Sequence, residues 1–170
     1  PGLLRAYSGA HEVISTIMLN YVAINLSDYF SEGPWKDTTP GNIVSRLPAI
    51  QPSAEIPNIG PVPVGFIVAV LTSLLIWFVI NRTTFGFEIN SVGLNPHASK
   101  YAGMRTKLLI VAAMVVSGAL AGVGGAVETM GVVGRFQPGF NTGLGFDGIT
   151  VALLARNNPI AVILSSLFLG

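Results

Sequence analysis

The chain has 170 residues, of which 51% are hydrophobic and 10% charged, whereas soluble domains carry roughly 25% charged residues. So few charges cannot cover a surface that faces water, and we expect lipid to cover much of the chain instead. The net charge of +1 offers no basic surface to nucleic acid, and the absence of cysteine excludes disulfides and thiolate metal sites.

Four apolar stretches predict membrane-spanning helices, with approximate bounds 9–26, 62–80, 108–128 and 148–170. About 20 apolar residues span a bilayer core as a helix, so the second and third stretches fit directly and the first is marginal. The fourth is long enough only if its interruption lies at membrane depth. We therefore predict one transmembrane domain over 1–170, an all-α polytopic helix bundle with a broken helix near its C-terminal end. Because an apolar run is still open at Gly170, we expect a piece of a longer membrane protein.

The first predicted helix carries two polar residues, Thr16 and Asn20, four positions apart. Residues at this spacing share one face of a helix, and polar groups in lipid turn toward the bundle interior. They could bond a neighbouring helix or contact a polar substrate. Both interpretations stay open.

The two long connections, 27–61 and 81–107, differ in charge. Charged side chains in the first are mainly acidic: Asp28, Glu32, Asp37 and Glu55 against Lys36 and Arg46. Those in the second are mainly basic: Arg82, Lys100, Arg105 and Lys107 against Glu88. Since cytoplasmic loops are enriched in Lys and Arg, we predict that 81–107 lies in the cytoplasm and 27–61 outside. With so few charges, a chance distribution is the alternative.

Capping signals within 81–107 predict a short helix over 96–102. Asn95 is a favourable N-cap, Pro96 suits the first helical position, and Gly103 suits the stop after the last turn. Such a helix, held between two membrane crossings, could dock into the groove of a partner. The alternative is a loop that only happens to contain a turn of helix.

The third predicted helix contains Gly118 and Gly122 at the GxxxG spacing and ends at Glu128. Small residues let helix backbones approach closely in lipid, so we expect tight packing there, near a polar pathway or a partner subunit. Ordinary packing within the chain is the alternative. Glu128 could line the outer mouth of such a pathway, or it could be solvated as a helix-end residue.

In the fourth stretch, Arg156 and Asn157 interrupt the helix shortly before a proline. Backbone groups freed at such a break are tolerated only beside protein or a watery cavity, and transporters use broken helices in this way. Both residues are therefore candidates for a transport pathway, with a proline-kinked helix at the cytoplasmic surface as the alternative. Upstream, Asp147 is predicted as the N-cap of this helix, and Asn141 is a weaker candidate for substrate contact.

Signatures of catalysis are absent from the sequence, which contains no Walker A motif, no HExxH, no GxSxG and no close Ser/His/Asp set. His11 and His97 are too distant in sequence to have metal-ligand spacing. We therefore predict no catalytic residue, no metal and no cofactor bound by this chain. A membrane-embedded enzyme that uses Glu128 and Arg156 remains an alternative, as does a membrane scaffold without transport.

Several segments resemble one family of ABC transporter permeases. They are Arg82-Thr83-Thr84-Phe85-Gly86, Val92-Gly93-Leu94-Asn95-Pro96, Ser117-Gly118-Ala119-Leu120-Ala121-Gly122 and the run 145–159. The family includes branched-chain amino acid, ribose and simple-sugar permeases, and the run 12–21 looks most similar to its nucleoside-import branch. One departure is Ala155, where the family pattern leads us to expect glycine.

The resemblance implies a permease subunit of an ABC importer in a bacterial plasma (inner) membrane, which it would cross several times. Its short cytoplasmic helix would be the coupling helix, which contacts the ATP-hydrolysing subunit through Asn95, Pro96, His97, Ala98, Tyr101 and Gly103. Other implied partners are a second permease subunit and an extracytoplasmic substrate-binding protein or lipoprotein. Nucleosides are the favoured substrates, before simple sugars and branched-chain amino acids.

Overall fold

The computed structural model describes residues 1–36, 47–51, 53–54, 56, 58–59, 62–136 and 143–170. Its helices are α1 (Gly2–Ser8), α2 (Glu12–Glu32), α3 (Val64–Arg82), α4 (Thr84–Leu94), α5 (Pro96–Tyr101), α6 (Thr106–Glu128), α7 (Leu144–Leu154) and α8 (Pro159–Leu169). A π-helical turn, Thr129–Val133, extends α6. Before α3, the two-residue strands β1 (Asn58–Ile59) and β2 (Val62–Pro63) pair antiparallel. The predicted all-α helix bundle is confirmed. In the described ranges, the pairing of β1 with β2 is the only contact between strands.

Two of these helices are long and apolar enough to cross a membrane, judged by length and composition. They are α3 and the continuous helix formed by α6 and the π-helical turn, Thr106–Val133. The two helices α7 and α8 are apolar but shorter, with 11 residues each. The remaining long helix, α2, runs on to Glu32 and so includes Asp28, which was predicted to lie in the outer connection.

Apolar side chains are exposed along the long helices. Among the residues that the structure describes, the buried hydrophobic ones are Val92, Leu109 and Ala155. Large exposed ones include Phe78 in α3 and Val115 in α6. Soluble monomers rarely leave contiguous apolar surface of this extent uncovered. Lipid or further helices must therefore cover these faces.

The N-terminal helix α1 ties α2 to α6. It packs along α6, and Lys107 Nζ lies 4.8 Å from the centre of the Tyr7 ring. Arg5 Nε lies 3.2 Å from Glu12 Oε2, at the start of α2. Both side chains of this ion pair are partly exposed, so its contribution to stability is small. Its structural effect is to hold the start of α2 near α6.

The connection 81–107 is more helical than predicted, because α4 occupies the part before the short helix α5. Gly86 and Gly93 lie within α4, and glycine disfavours helix by about 1 kcal/mol relative to alanine. Local propensity therefore argues against this helix. Packing of α4 against α3, α5 and α6 stabilises it instead.

The start of α7 also differs from the prediction. Asp147 is not the N-cap, because α7 begins at Leu144, and Gly143 occupies the cap position with φ 110°. Asp147 lies in the first turn, where the helix dipole favours a carboxylate. An acidic residue thus correctly marks the start of the helix, but it lies inside the helix instead of capping it.

Candidate functional site

The start of α5 is fixed by Asn95. Its side-chain oxygen Oδ1 accepts hydrogen bonds from the backbone N–H groups of His97 and Ala98, each at 3.1 Å. Its own N–H donates to the carbonyl of Ser91 at 3.0 Å, which closes α4. Pro96 follows at the first helical position, where no N–H donor is needed. One residue therefore ends α4 and begins α5, as the capping signals predicted for α5.

The end of α5 is a Schellman motif. The N–H of Gly103 donates to the carbonyl of Lys100 at 3.1 Å, and the N–H of Met104 donates to that of Ser99 at 3.0 Å. Gly103 has φ +83°, a conformation that L side chains rarely adopt. The predicted stop at Gly103 is confirmed, and the helix ends at Tyr101, one residue before the predicted 102.

The two sides of α5 have opposite environments. Ser99 is buried, at 4% exposure, and its hydroxyl donates to the carbonyl of Asn95 at 3.0 Å. His97 and Ala98 are exposed, and Tyr101 is 94% exposed. Tyrosine combines a large apolar ring with a polar tip and is enriched at protein interfaces. The outer side of α5 thus presents an uncovered aromatic beside a small residue.

Two of the buried hydrophobic residues in the described ranges lie on the helices that adjoin α5. Val92 of α4 and Leu109 of α6 are 5% and 3% exposed. Both line a cavity of about 370 Å³ that also reaches α1, α2 and α5. Pro96 of α5 and the Arg5–Glu12 ion pair form part of its wall. The short helix therefore rests on a base formed by α4 and α6.

A single threonine joins α3 to α4. The Thr83 hydroxyl donates to the carbonyl of Val79 in α3 at 2.6 Å and accepts from the N–H of Gly86 in α4 at 3.2 Å. A side chain at Gly86 would collide with the backbone oxygens of Val79 and Ile80. The corner between the two helices is therefore tight, and glycine is required there for lack of space.

The break between α7 and α8 consists of consecutive left-handed residues. After α7, Arg156 has φ 51° and Asn157 has φ 58°. Their N–H groups donate to the carbonyls of Leu153 at 3.0 Å and Ala152 at 2.9 Å, which satisfies the end of α7. Ala155, where glycine was expected, has φ −76° and is 4% exposed. Alanine fits this position, because the left-handed conformation begins one residue later.

The next helix starts at the same break and lies beside the centre of α3. Asn158 Oδ1 accepts from the N–H of Ile160 at 3.0 Å, and Pro159 is the first residue of α8. The Ser73 hydroxyl donates to the carbonyl of Pro159. Ser73 lies midway between Val64 and Arg82, about 14 Å from either end of α3 at the α-helical rise. The break is thus level with the middle of a helix long enough to cross a membrane.

Other predicted pathway residues do not gather at this break. The Thr16 hydroxyl bonds within α2, to the carbonyls of Glu12 at 2.8 Å and Val13 at 2.9 Å, and Asn20 is exposed. In the ranges that the structure describes, no hydrogen bond or ion pair joins Thr16, Asn20 or Glu128 to Arg156 or Asn157. Asn141 lies outside the described residues.

The predicted packing face of α6 is uncovered. A methyl group added at Gly118 or Gly122 would meet no heavy atom within 4 Å apart from the adjoining residues and the local backbone of α6. Described residues of this chain therefore do not supply the close contact that the GxxxG spacing predicts.

Within the described residues, no group of His, Asp or Glu has the arrangement of a metal site.

Two polar residues whose hydroxyl groups join helices, Ser73 and Thr83, were not predicted from the sequence. Thr83 carries a local signal, because threonine is a favourable N-cap and α4 begins at the next residue. Ser73 is a polar residue in an otherwise apolar helix, and such groups in lipid commonly bond another helix. Its partner in α8 is 86 positions away and has no sequence signal.

Comparison with known proteins gives a match over the whole chain. Residues 1–170 match the family described as branched-chain amino acid transport system, permease component. The guanosine ABC transporter permease NupP of Bacillus subtilis is 41% identical over 100% of this chain and 50% of its own length. The nucleoside ABC transporter permease NupB of Lactococcus lactis is 36% identical, over 98% of this chain and 49% of its own.

A third relative, the glucose ABC transporter permease TsgB13 of Haloferax volcanii, is 34% identical over 99% of this chain and 47% of its own length. No solved structure gives a significant match. The chain spans about half the length of these relatives. With a match over residues 1–170, the chain belongs to the family of ABC transporter permease components that includes the branched-chain amino acid systems.

Proposed function

We propose that this chain forms part of the permease subunit of an ABC importer, a multi-pass protein of a bacterial plasma (inner) membrane that carries nucleosides or simple sugars. The observation that carries the proposal is the geometry of α5. This helix is capped at both ends by Asn95 and Gly103, it is backed by α4 and α6, and its Tyr101 is uncovered. A rigid, exposed helix of this kind suits a coupling element that enters the cleft of a separate ATPase subunit.

Charge supports a cytoplasmic location for α5. Lys100 lies in the helix, Arg105 and Lys107 follow it, and Arg82 ends α3. Positive charge next to membrane spans marks the cytoplasmic side, where ATP is hydrolysed. This chain would bind no ATP itself, and all hydrolysis would occur in the partner.

The proposed pathway includes the break between α7 and α8. Arg156 and Asn157 bring polar groups to the level of the centre of α3, and ionisable groups inside a membrane are rare unless they serve a function. Thr16, Asn20, Glu128 and Asn141 remain candidates for other parts of the pathway. A second permease subunit would complete it, and an extracytoplasmic binding protein would deliver the substrate.

Nucleosides are the first choice of substrate. Of the three relatives described above, two are named for guanosine or nucleosides and one is named for glucose. Simple sugars therefore rank second, and branched-chain amino acids third. The ribose of a nucleoside and a simple sugar share hydroxyl groups that amide and guanidinium side chains recognise well.

Reconstitution tests the proposal. The intact permease would be placed in liposomes with its ATPase and its binding protein, and uptake of guanosine, glucose and leucine would be compared. We expect ATP-dependent uptake, with guanosine carried best. Equal accumulation with and without ATP would refute an ABC importer. ATP-dependent uptake of leucine alone would refute the substrate assignment but leave the transporter class intact.

A further inference from the structure

We propose that α3 transmits movement of α5 to the break between α7 and α8, with Thr83 and Ser73 as positioning residues along this route. The inference rests on the proposed coupling role of α5. It adds the path between the coupling helix and the polar break, together with the two hydroxyl groups that hold that path together. Neither hydroxyl would touch the substrate or the ATPase.

The first section of the route is the corner between α3 and α4. The Thr83 hydroxyl bonds both helices, to Val79 on one side and to Gly86 on the other. Gly86 lies against the backbone of the last turns of α3, with no room for a side chain. Close packing of this kind leaves no flexible linker between the two helices. A displacement of α4 must therefore displace the end of α3.

The corner between α4 and α5 is equally short. Asn95 alone separates the two helices, and it is bonded to both of them, through Ser91 in α4 and through His97 and Ala98 in α5. From α5 back to α3, the backbone thus contains two single-residue corners and no longer loop. Force applied to α5 by a partner would reach α3 through packed helices.

The second section of the route runs from α3 to α8. A serine hydroxyl inside a helix commonly bonds the carbonyl four residues earlier, but Ser73 bonds the carbonyl of Pro159 instead. Pro159 is the first residue of α8, directly after the break, and α8 packs along α3. Movement of α3 at this level would therefore shift the start of α8 and the adjoining Arg156 and Asn157.

The other helix joined to α5 offers no comparable route. α6 follows α5 in the chain and packs against α1 and α4. In the part of the chain that the structure describes, α6 does not pack along α7 or α8 as α3 packs along α8. The direct connection from the coupling helix to the break therefore runs through α3.

The experiment uses the intact permease with its ATPase and loaded binding protein in liposomes, and it measures substrate molecules imported per ATP hydrolysed. Ser73→Ala removes the hydroxyl, Ser73→Thr keeps it, and Thr72→Val removes the adjacent hydroxyl as a control. We expect Ser73→Ala to lower the ratio about threefold, the factor that corresponds to one hydrogen bond between helices. Ser73→Thr and Thr72→Val should retain the ratio of the unmodified permease, and ATPase copurification should be unchanged in all three.

A second pair of variants tests the corner. Thr83→Val removes the shared hydroxyl with little change in volume, and Thr83→Ser restores it. We expect Thr83→Val to lower the ratio and Thr83→Ser to recover it. Because both sites lie on one route, Ser73→Ala combined with Thr83→Val should be less damaging than the product of the two single effects.

The outcomes separate this inference from the proposed function. If Ser73→Ala and Thr83→Val leave the ratio unchanged in assembled complexes, transmission through α3 is wrong. A loss with Ser73→Thr as large as that with Ser73→Ala would also overturn it, because the hydroxyl would then be irrelevant. If variants of α5 itself leave ATPase stimulation intact, the proposed coupling role fails, whatever Ser73 and Thr83 do.

Discussion

Ser73, at the middle of α3, donates a hydrogen bond to the carbonyl of Pro159, the first residue of α8. The break between α7 and α8 therefore lies beside the centre of α3 and not beside its end at Arg82. The break was predicted to lie either at membrane depth or at the cytoplasmic surface. This contact favours membrane depth. Backbone groups freed in lipid need internal partners, and the bonds made by Arg156 and Asn157 supply them.

The left-handed conformation at this break predicts a difference between two substitutions. Asn157 has φ 58°, which glycine adopts freely and β-branched residues resist. Asn157→Val should destabilise the intact permease by about 1–2 kcal/mol, the usual cost of this conformation. Asn157→Gly should have a smaller effect. Thermal unfolding of the purified permease measures both, and equal unfolding temperatures would show that this backbone conformation is not retained.

Loop charge predicts that 27–61 and 81–107 lie on opposite sides of the membrane. The described Ser53 and Lys100 are both exposed, whereas Ser99 is buried and unsuitable for labelling. A single cysteine would be introduced at Ser53 or at Lys100 in a cysteine-free intact permease without its ATPase. The two cysteines should react with a membrane-impermeant reagent from opposite sides of the membrane. Reaction of both from outside would reject this topology.

The uncovered face of α6 predicts a partner outside the described residues. Gly122→Leu should lower assembly or transport, because a bulky side chain would separate helices that approach closely at this point. Gly124→Leu is the same substitution at an exposed glycine about 160° around the helix from Gly122, and it should have less effect. Yield and transport of both variants provide the measurement. Full assembly and transport with Gly122→Leu would mean that this face meets lipid.

In α2, the two polar candidates should differ in importance. The Thr16 hydroxyl is already bonded to its own helix, whereas the Asn20 amide is exposed and available to a substrate or another helix. Asn20→Leu should therefore weaken transport more than it lowers expression, and Thr16→Val should weaken transport less than Asn20→Leu does. Uptake normalised to the amount of permease in the membrane tests this. A parallel fall of expression and uptake in Asn20→Leu would assign it a structural role.

Local signals were sufficient to predict α5. Asn95, Pro96 and Gly103 act within a few residues of one another, and the structure has each in its predicted role. Apolar composition likewise predicted an all-α bundle. These features depend on capping and hydropathy, which the sequence contains directly.

Features that depend on distant contacts were missed or misjudged. α4 was not predicted, because Gly86 lowers its helix propensity while supplying the close contact with α3 that stabilises it. The contact between Ser73 and Pro159 joins residues 86 positions apart. At Ala155, the expectation of glycine was unnecessary, because the left-handed conformation falls on Arg156 and Asn157. Tertiary packing determines the structure at such positions, and it cannot be predicted from a local sequence pattern.

The proposed coupling of this permease to an ATPase depends on the exposed side of α5. Ala98→Glu would introduce charge and bulk beside Tyr101, and Tyr101→Ala would remove the exposed ring. Tyr21→Ala, at an exposed tyrosine in α2, is the matched control for loss of a ring. All three variants should leave the membrane bundle folded, since none of these side chains is buried.

The decisive measurement is ATPase activity stimulated by the loaded binding protein, together with copurification of the ATPase. Tyr101→Ala and Ala98→Glu should each reduce stimulation roughly tenfold or more, the effect expected for a central aromatic contact, and Tyr21→Ala should leave copurification unchanged. Stimulation and copurification at the unmodified level in both α5 variants would contradict a coupling role for α5, which would then be only a connector between α4 and α6.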